Sequence, residues 1–361
     1  MATRDVEPRR EMPETRLTRA EFKRRFLGQF TDPAFDQLAS ELARIEAAAW
    51  DGYDNGRKSP QTRRAGREFA EADYELATDW LQARAALAAA QAQHDDPAAP
   101  ARFLLINAAT RSEHTCPGES SKSYRLMRIA RDVLQRAGNS SVQVLDLSRT
   151  AAEYGRHIHP CKSCFSTAAP LCHWPCSCYP NYSLGQTQDW MNEIYPMLVA
   201  AHGIMIITPV NWYHTSSPLK LMMDRLVCAD GGNPDPTRTR GKDARRAKEL
   251  ELAGWDYPKH LRGRVFACFV HGDAEGAGET RRALCDWLSS MQLTAAGNSA
   301  ALDRYIGYWQ PYATSHAALD ADSAIQDEVR SVAHVLLKAV RDLRDGKRAE
   351  VGGEAHLPRQ K

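Results

Sequence analysis

Five cysteines in an eighteen-residue stretch are the residues whose type and spacing most directly suggest chemistry. The stretch reads CKSCFSTAAPLCHWPCSC and spans positions 161 to 178. A zinc site or a four-iron cluster needs four thiolates. We predict Cys161, Cys164, Cys172 and Cys176 as the ligands, with Cys178 as a spare that could replace Cys176. Spacing alone leaves three alternatives open: an iron–sulfur (4Fe-4S) cluster, a zinc ion, or thiols that pack or pair without metal.

The composition of the whole chain indicates what class of protein carries this loop. The 361 residues are 43% hydrophobic and 25% charged, with a formal net charge of +2. These values are typical of a globular protein with a substantial core. The near-neutral charge gives no general case for nucleic-acid binding, so we expect small-molecule partners and no nucleic acid.

The N-terminus predicts a cytoplasmic protein with no membrane association. The segment MATRDVEPRREMPETRLTRAEFKRRF is basic but lacks the apolar stretch of a secretory signal, and no apolar run in the sequence is long enough to span a bilayer. Structural disulfides are rare in a reducing compartment. The cysteine cluster is therefore expected to bind metal or to take part in redox chemistry.

The first 97 residues are predicted to form a helical extension. FDQLASELARIEAAAW and YELATDWLQARAALAAAQAQ both place apolar residues at helical spacing. The following segment, HDDPAAPAR, breaks this pattern with two acidic residues and two prolines. We expect a separate domain over residues 102–345, with an insertion at 229–260 and a disordered tail at 346–361.

Within residues 102–345, short apolar runs alternate with helical patterns, which predicts an α/β domain. Strands are predicted at 103–107, 142–147, 203–209, 264–270 and 295–303, and helices near 121–137, 186–201, 217–228, 279–291 and 322–344. Such alternation is typical of a doubly wound, five-stranded parallel sheet in three layers. Ligands bind such sheets at the carboxyl ends of the strands.

The loop after the first predicted strand has the composition of a phosphate site. It runs NAATRSEHTCPGESSKSYRL and joins one arginine to a hydroxyl-rich helix start. Backbone amides and the positive end of a helix dipole bind phosphate well. Helix capping by the same serines is the alternative.

The loops after the third and fourth strands favour a flat conjugated ligand. TPVNWYHTSSPLKLMMDRL presents an aromatic pair directly after an apolar strand, and HGDAEGAGE carries three glycines that allow close approach of the backbone. A flavin fits these features better than a sugar or an ion. Neither loop matches a dinucleotide-binding or NTPase fingerprint.

These segments resemble the flavodoxin-like NADPH-dependent FMN reductases, which include iron–sulfur flavoproteins. The resemblance covers roughly residues 102 to 300, and its most specific block is Pro209–Arg225. Where the family commonly has Gly-Ser-Pro-Arg, this chain has Ala-Ala-Thr-Arg at 108–111. The resemblance implies an FMN site formed by Thr110, Arg111, Ser112, Ser121, Lys122, Ser123, Pro209, Val210, Asn211, Trp212, Tyr213, His271, Gly272, Asp273 and Gly276.

The resemblance also implies a function. We expect an oxidoreductase that passes electrons from NADH or NADPH through FMN to a quinone-like, nitroaromatic or other oxidised acceptor, with the cysteine loop as a further redox site. A non-catalytic electron carrier or redox sensor that docks a partner protein is the alternative, because the fold serves both purposes. Assembly into a homodimer or homotetramer is expected as well.

Overall fold

The computed structural model describes residues 16–115, 118–273, 275–308 and 310–347, with only the backbone of 312 and 313. The described chain divides into two compact units. One contains the N-terminal segment up to Gln82, Lys162–Asp189 and Asn233–Trp255, and the other contains Ala83–Cys161, Trp190–Gly232 and the chain from Asp256 onward. These units differ from the predicted domains, since most of the cysteine loop and of the insertion belongs with the N-terminal segment.

The first unit is largely helical. It contains α1 (Arg19–Leu27), α2 (Ala39–Asp54), a hairpin of β1 (Thr62–Arg64) and β2 (Glu75–Ala77), and α8 (Ala244–Leu252), which lies within the insertion. Helices α1 and α2 pack through Phe22 and Trp50, whose ring centroids are 5.2 Å apart. The helix α1, the hairpin and α8 were not predicted from the sequence.

The second unit begins within α3 (Thr78–Asp95) and is built on a parallel sheet. Its strands are β3 (Ala101–Asn107), β4 (Ser140–Asp146), β5 (Gly203–Pro209), β6 (Val265–Gly272), β7 (Thr294–Ala295) and β8 (Ala301–Tyr305). The order is β4-β3-β5-β6, and the free edge of β6 pairs first with β7 and then with β8. This is the flavodoxin-like order, and the predicted fifth strand is present in two short pieces.

The helices of the second unit are α4 (Lys122–Arg136), α5 (Arg149–Ala152), α6 (Met191–Ala200), α7 (Ser217–Arg225), α9 (Ala277–Ser290), α10 (Tyr312–Ala321) and α11 (Ser323–Arg344). The five predicted helices are present. The short α5 and the ten-residue α10 were not predicted. In the case of α10, Pro311 and the surrounding polar residues obscure the apolar spacing.

The core of the second unit lies between the sheet and helices α4 and α11. Phe103, Leu105 and Phe269 from the strands pack there against Leu126 and Leu336 from the two helices. The central strands are buried on both faces, as their continuous apolar sequences predict. Each fully buried side chain of this size stabilises the fold by roughly 1.5–3 kcal/mol.

Candidate functional site

A cleft of about 200 Å³ opens at the carboxyl edge of β3, β5 and β6. The parallel register brings the ends of these strands together: Asn107 pairs with Ile207, and Pro209 pairs with His271. Loops leaving three neighbouring strands therefore converge on one volume.

One end of the cleft is suited to an anion. Ser121 caps α4 by accepting a hydrogen bond from the Tyr124 amide at 3.1 Å. The next two residues, Lys122 and Ser123, line the cleft together with Arg111. The first amides of a helix have no acceptor within the helix, so this turn adds N–H donors to two cationic side chains and a hydroxyl.

His271 links this helix start to the end of β6. Its Nε2 shares a hydrogen bond with the Ser123 hydroxyl at 2.7 Å, and the ring is buried. Burial, together with the positive charge of Lys122, lowers the pKa of His271 to about 3. At neutral pH the imidazole is therefore uncharged, and it positions the Ser123 hydroxyl without adding a third positive charge.

A tight turn after β5 forms another part of the site. Asn211 and His214 exchange backbone hydrogen bonds of 2.8 and 3.1 Å, and the two residues between them have positive φ angles of 47° at Trp212 and 69° at Tyr213. Such angles are costly for aromatic residues. Gly276, at the start of α9, lies directly against this turn: a Cβ there would be 2.7 Å from the Tyr213 backbone. The turn is thus held in a strained form by its neighbour.

These features agree with a comparison against known families. The model of the NADPH-dependent FMN reductases matches residues 101–306, which is more than half of the chain. The chain belongs to this family. Membership makes it an FMN-dependent oxidoreductase, and the cleft lies within the matched residues.

Solved structures with similar folds include several flavoproteins. RosB with a bound 8-demethyl-8-formylriboflavin-5'-phosphate intermediate is 14% identical, with a TM-score of 0.47 over 68% of this chain and 81% of that one. An apo NADH:FMN oxidoreductase is 11% identical, with a TM-score of 0.37 over 71% and 95%. An FMN-dependent NADH-azoreductase from Bacillus anthracis is 14% identical, with a TM-score of 0.34 over 64% and 98%. No curated protein matches this sequence.

Eleven of the fifteen residues predicted to bind FMN line the cleft of this FMN reductase. They are Thr110, Arg111, Ser121, Lys122, Ser123, Pro209, Val210, Asn211, His271, Gly272 and Asp273. The donor set fits FMN, with cations and hydroxyls at one end and backbone and apolar groups beside it. Binding itself stays a prediction for each residue.

Four predicted residues lie outside the lining, each for a local reason. The turn leaves the Trp212 side chain 93% exposed and Tyr213 62% exposed, rather than facing the cleft. Gly276 lies beneath Tyr213. Ser112 is buried, and its hydroxyl accepts a hydrogen bond from the His114 amide at 3.2 Å.

Three lining residues were missed: Ala109, Ile306 and His316. His316 belongs to the unpredicted helix α10, and its imidazole pairs with Glu119 of the first loop. Ile306 directly follows β8, where its amide donates to the Gly272 carbonyl at 2.7 Å. The sequence of α10 has only weak apolar spacing, and its contact with Glu119 is a property of the fold.

The predicted metal ligands form no metal-binding group among the described residues. A lysine lies among the thiols instead, with the Lys242 Nζ 3.5 Å from the Cys164 sulfur. Metal binding by these thiols stays a prediction. We therefore derive no step through an iron–sulfur cluster or a zinc ion. Cys116, a further cysteine of the first loop, lies outside the described residues.

No helix in the described ranges is both long enough and apolar enough to cross a membrane.

The buried His271 predicts a pH dependence of stability. The folded protein keeps this imidazole neutral down to about pH 3, whereas an unfolded chain protonates it near pH 6.5. Between these values the unfolded state binds more protons, so stability falls as the pH drops. We expect this group to remove about 2 kcal/mol between pH 7 and pH 5.

Urea denaturation of the parent protein and of His271→Gln at both pH values measures this effect. Glutamine can still hydrogen bond to Ser123 but does not titrate. The variant should therefore lose less stability on acidification than the parent. Equal losses in the two proteins would show that His271 is not held neutral.

Proposed function

We propose that this FMN reductase takes electrons from NADH or NADPH and delivers them to a quinone-like, nitroaromatic or other oxidised small molecule. The observation that carries the proposal is the cleft, where a cationic helix start and the loops of three adjacent strands meet. When bound there, FMN supplies the two-electron redox chemistry. The chain's own residues bind it, orient it and set the charge around it.

The phosphate of FMN would lie at the start of α4. Arg111 and Lys122 supply positive charge, and Thr110, Ser121 and Ser123 supply hydroxyl groups. Burial lowers the pKa of Lys122, and the carboxylate of Asp273 partly offsets this effect. The site concentrates cationic charge where a dianionic phosphate requires it.

The ring of FMN would lie between the two remaining loops. Pro209, Val210 and Asn211 offer one wall, and His271, Gly272 and Asp273 offer another. A side chain at Gly272 would approach the Val210 Cβ to 3.0 Å, so glycine lets these walls come close together. Exclusion of water from this narrow space would protect the reduced ring from side reactions.

The central experiment is an optical one. Purified protein is expected to be yellow, and its flavin absorbance should bleach when NADH or NADPH is added without oxygen. Addition of a quinone or a nitroaromatic compound should restore the absorbance, and repeated cycles should give steady-state turnover. A colourless protein that binds no added FMN would overturn the proposal.

The same experiment separates catalysis from electron carriage. If bound FMN is reduced by a partner protein but by neither nicotinamide, the chain is an electron carrier. Rate constants measured separately with NADH and NADPH identify the donor. Light scattering of the holoprotein tests the expected homodimer or homotetramer.

A further inference from the structure

Two thiols of the cysteine loop lie almost in contact. The sulfur atoms of Cys164 and Cys178 are 3.8 Å apart, and both residues belong to the first compact unit. The eight cysteines that the structure describes are in the reduced form. Formation of a disulfide would require the two sulfur atoms to approach by less than 2 Å, to the usual bond length of about 2 Å.

Lys242 lies beside both sulfur atoms. Its Nζ donates to the Leu171 carbonyl at 2.9 Å and lies 3.5 Å from the Cys164 sulfur and 3.7 Å from the Cys178 sulfur. Burial disfavours the charged amine, but the surrounding thiols more than offset that effect and raise the pKa of Lys242. The carbonyl contact anchors the ammonium group where it can stabilise a thiolate.

A second lysine adds positive charge beside the same thiols. Lys58 donates to the Ser177 carbonyl at 2.7 Å, next to Cys178 in the sequence. Burial lowers the pKa of this amine, and the neighbouring thiols Cys178 and Cys176 raise it in part. Two lysines from distant parts of the chain therefore lie against one thiol cluster.

The surrounding backbone holds the pair in place. Cys164 begins a single turn of 3-10 helix and packs against the buried residues Leu171 and Ala247. Lys242 directly precedes Asp243, the residue that caps α8 by accepting from two amides. The thiols and the amine are thus positioned by local structure that the same unit provides.

We propose that Cys164 and Cys178 form a reversible dithiol–disulfide pair, oxidised by a hydroperoxide and activated by Lys242. The proposal does not depend on flavin binding. It is an alternative to the metal centre expected from the cysteine spacing, and it gives this pair of close sulfur atoms a chemical role.

The reaction proceeds in two balanced steps. The Cys164 thiolate attacks one oxygen of the hydroperoxide, the O–O bond breaks, and Cys164 becomes a sulfenic acid while the other oxygen leaves as water or an alcohol. The Cys178 sulfur then attacks the Cys164 sulfur, the S–O bond breaks, and water leaves. The two thiols lose two electrons and the hydroperoxide gains them.

Exposure decides which thiol reacts first. Cys178 is buried, with 7% of its surface exposed, whereas Cys164 is half-buried. The Lys242 Nζ lies 3.5 Å from the Cys164 sulfur, and a positive charge at this distance activates a thiol. Cys164 is therefore the accessible sulfur that meets the hydroperoxide, and Cys178 is the resolving thiol.

The test uses the full-length protein, treated with hydrogen peroxide and then mapped by mass spectrometry of non-reduced peptides. We expect one disulfide that joins Cys164 to Cys178 and disappears on treatment with dithiothreitol. Cys178→Ser should stop the reaction at the sulfenic acid, which dimedone captures on Cys164. Cys164→Ser should form neither product.

Two further variants control this result. Cys176→Ser removes a thiol of the same loop and should leave disulfide formation unchanged. Lys242→Met removes the ammonium group at similar size and should slow the reaction about tenfold at pH 7, because the positive charge beside both sulfur atoms is lost. A parent protein in which peroxide leaves both thiols reduced, or pairs Cys164 with another cysteine, would overturn the proposal. Stoichiometric iron with sulfide, or zinc, in anaerobically purified protein would do the same.

Discussion

Replacement of Arg111 by alanine is expected to weaken FMN binding by roughly tenfold to a hundredfold, or about 1.5–3 kcal/mol. Arg111 lines the cleft beside the start of α4. A charge-assisted hydrogen bond to phosphate is stronger than a neutral one. The loss should be measurable because residues 108 and 109 of the first loop are alanines, which have no hydroxyl group to share the phosphate.

Fluorescence titration of the apoprotein with FMN measures the dissociation constant. Arg128→Ala is the matched control, because Arg128 is an exposed arginine on α4 outside the cleft lining. We expect that variant to bind FMN as the parent does. If Arg111→Ala also binds unchanged, the phosphate lies elsewhere.

Gly276→Ala is expected to destabilise the protein by about 3 kcal/mol or more. Gly276 has a φ of +103°, and an added Cβ would lie 2.7 Å from both the α-carbon and the carbonyl oxygen of Tyr213. These are backbone atoms, so the obstruction cannot be relieved by a change of rotamer. The turn that carries Asn211 into the cleft would have to move, and FMN affinity should fall as well.

Gly254→Ala separates the two causes of this loss. Gly254 has a nearly equal φ of +98°, but a Cβ there meets no atom within 4 Å. Its substitution should cost about 1 kcal/mol, from backbone strain alone. Urea denaturation of both variants gives the comparison. Equal losses would show that contact with the turn does not constrain Gly276.

The sequence by itself determined the sheet and the location of the cleft. Strands β3, β5 and β6 are continuous apolar runs. Such runs are typical of strands that are buried on both faces of a parallel sheet. Since parallel strands place their carboxyl ends at one edge, the loops after them can be assigned to one site from the sequence alone. Ser121 was likewise readable as the start of α4, because a serine before an apolar periodic segment is a helix cap.

The sequence did not determine how the local segments face one another. Trp212 and Tyr213 looked like cleft residues because they follow a strand, yet the turn between Asn211 and His214 directs them into solvent. Positive φ angles at two aromatic residues have no local sequence signal. They persist because α9 and the end of β6 constrain the turn.

The environment of the cysteine loop was also decided by tertiary structure. Lys242 is 64 residues from Cys178 along the chain, and only folding of the first unit brings its ammonium group to the two sulfur atoms. Cysteine spacing describes how many thiols can converge but not what charge meets them. That charge comes from segments distant in sequence, and Coulomb interactions depend on distance in space, so neither the buried lysine nor the close thiol pair could be inferred from the loop alone.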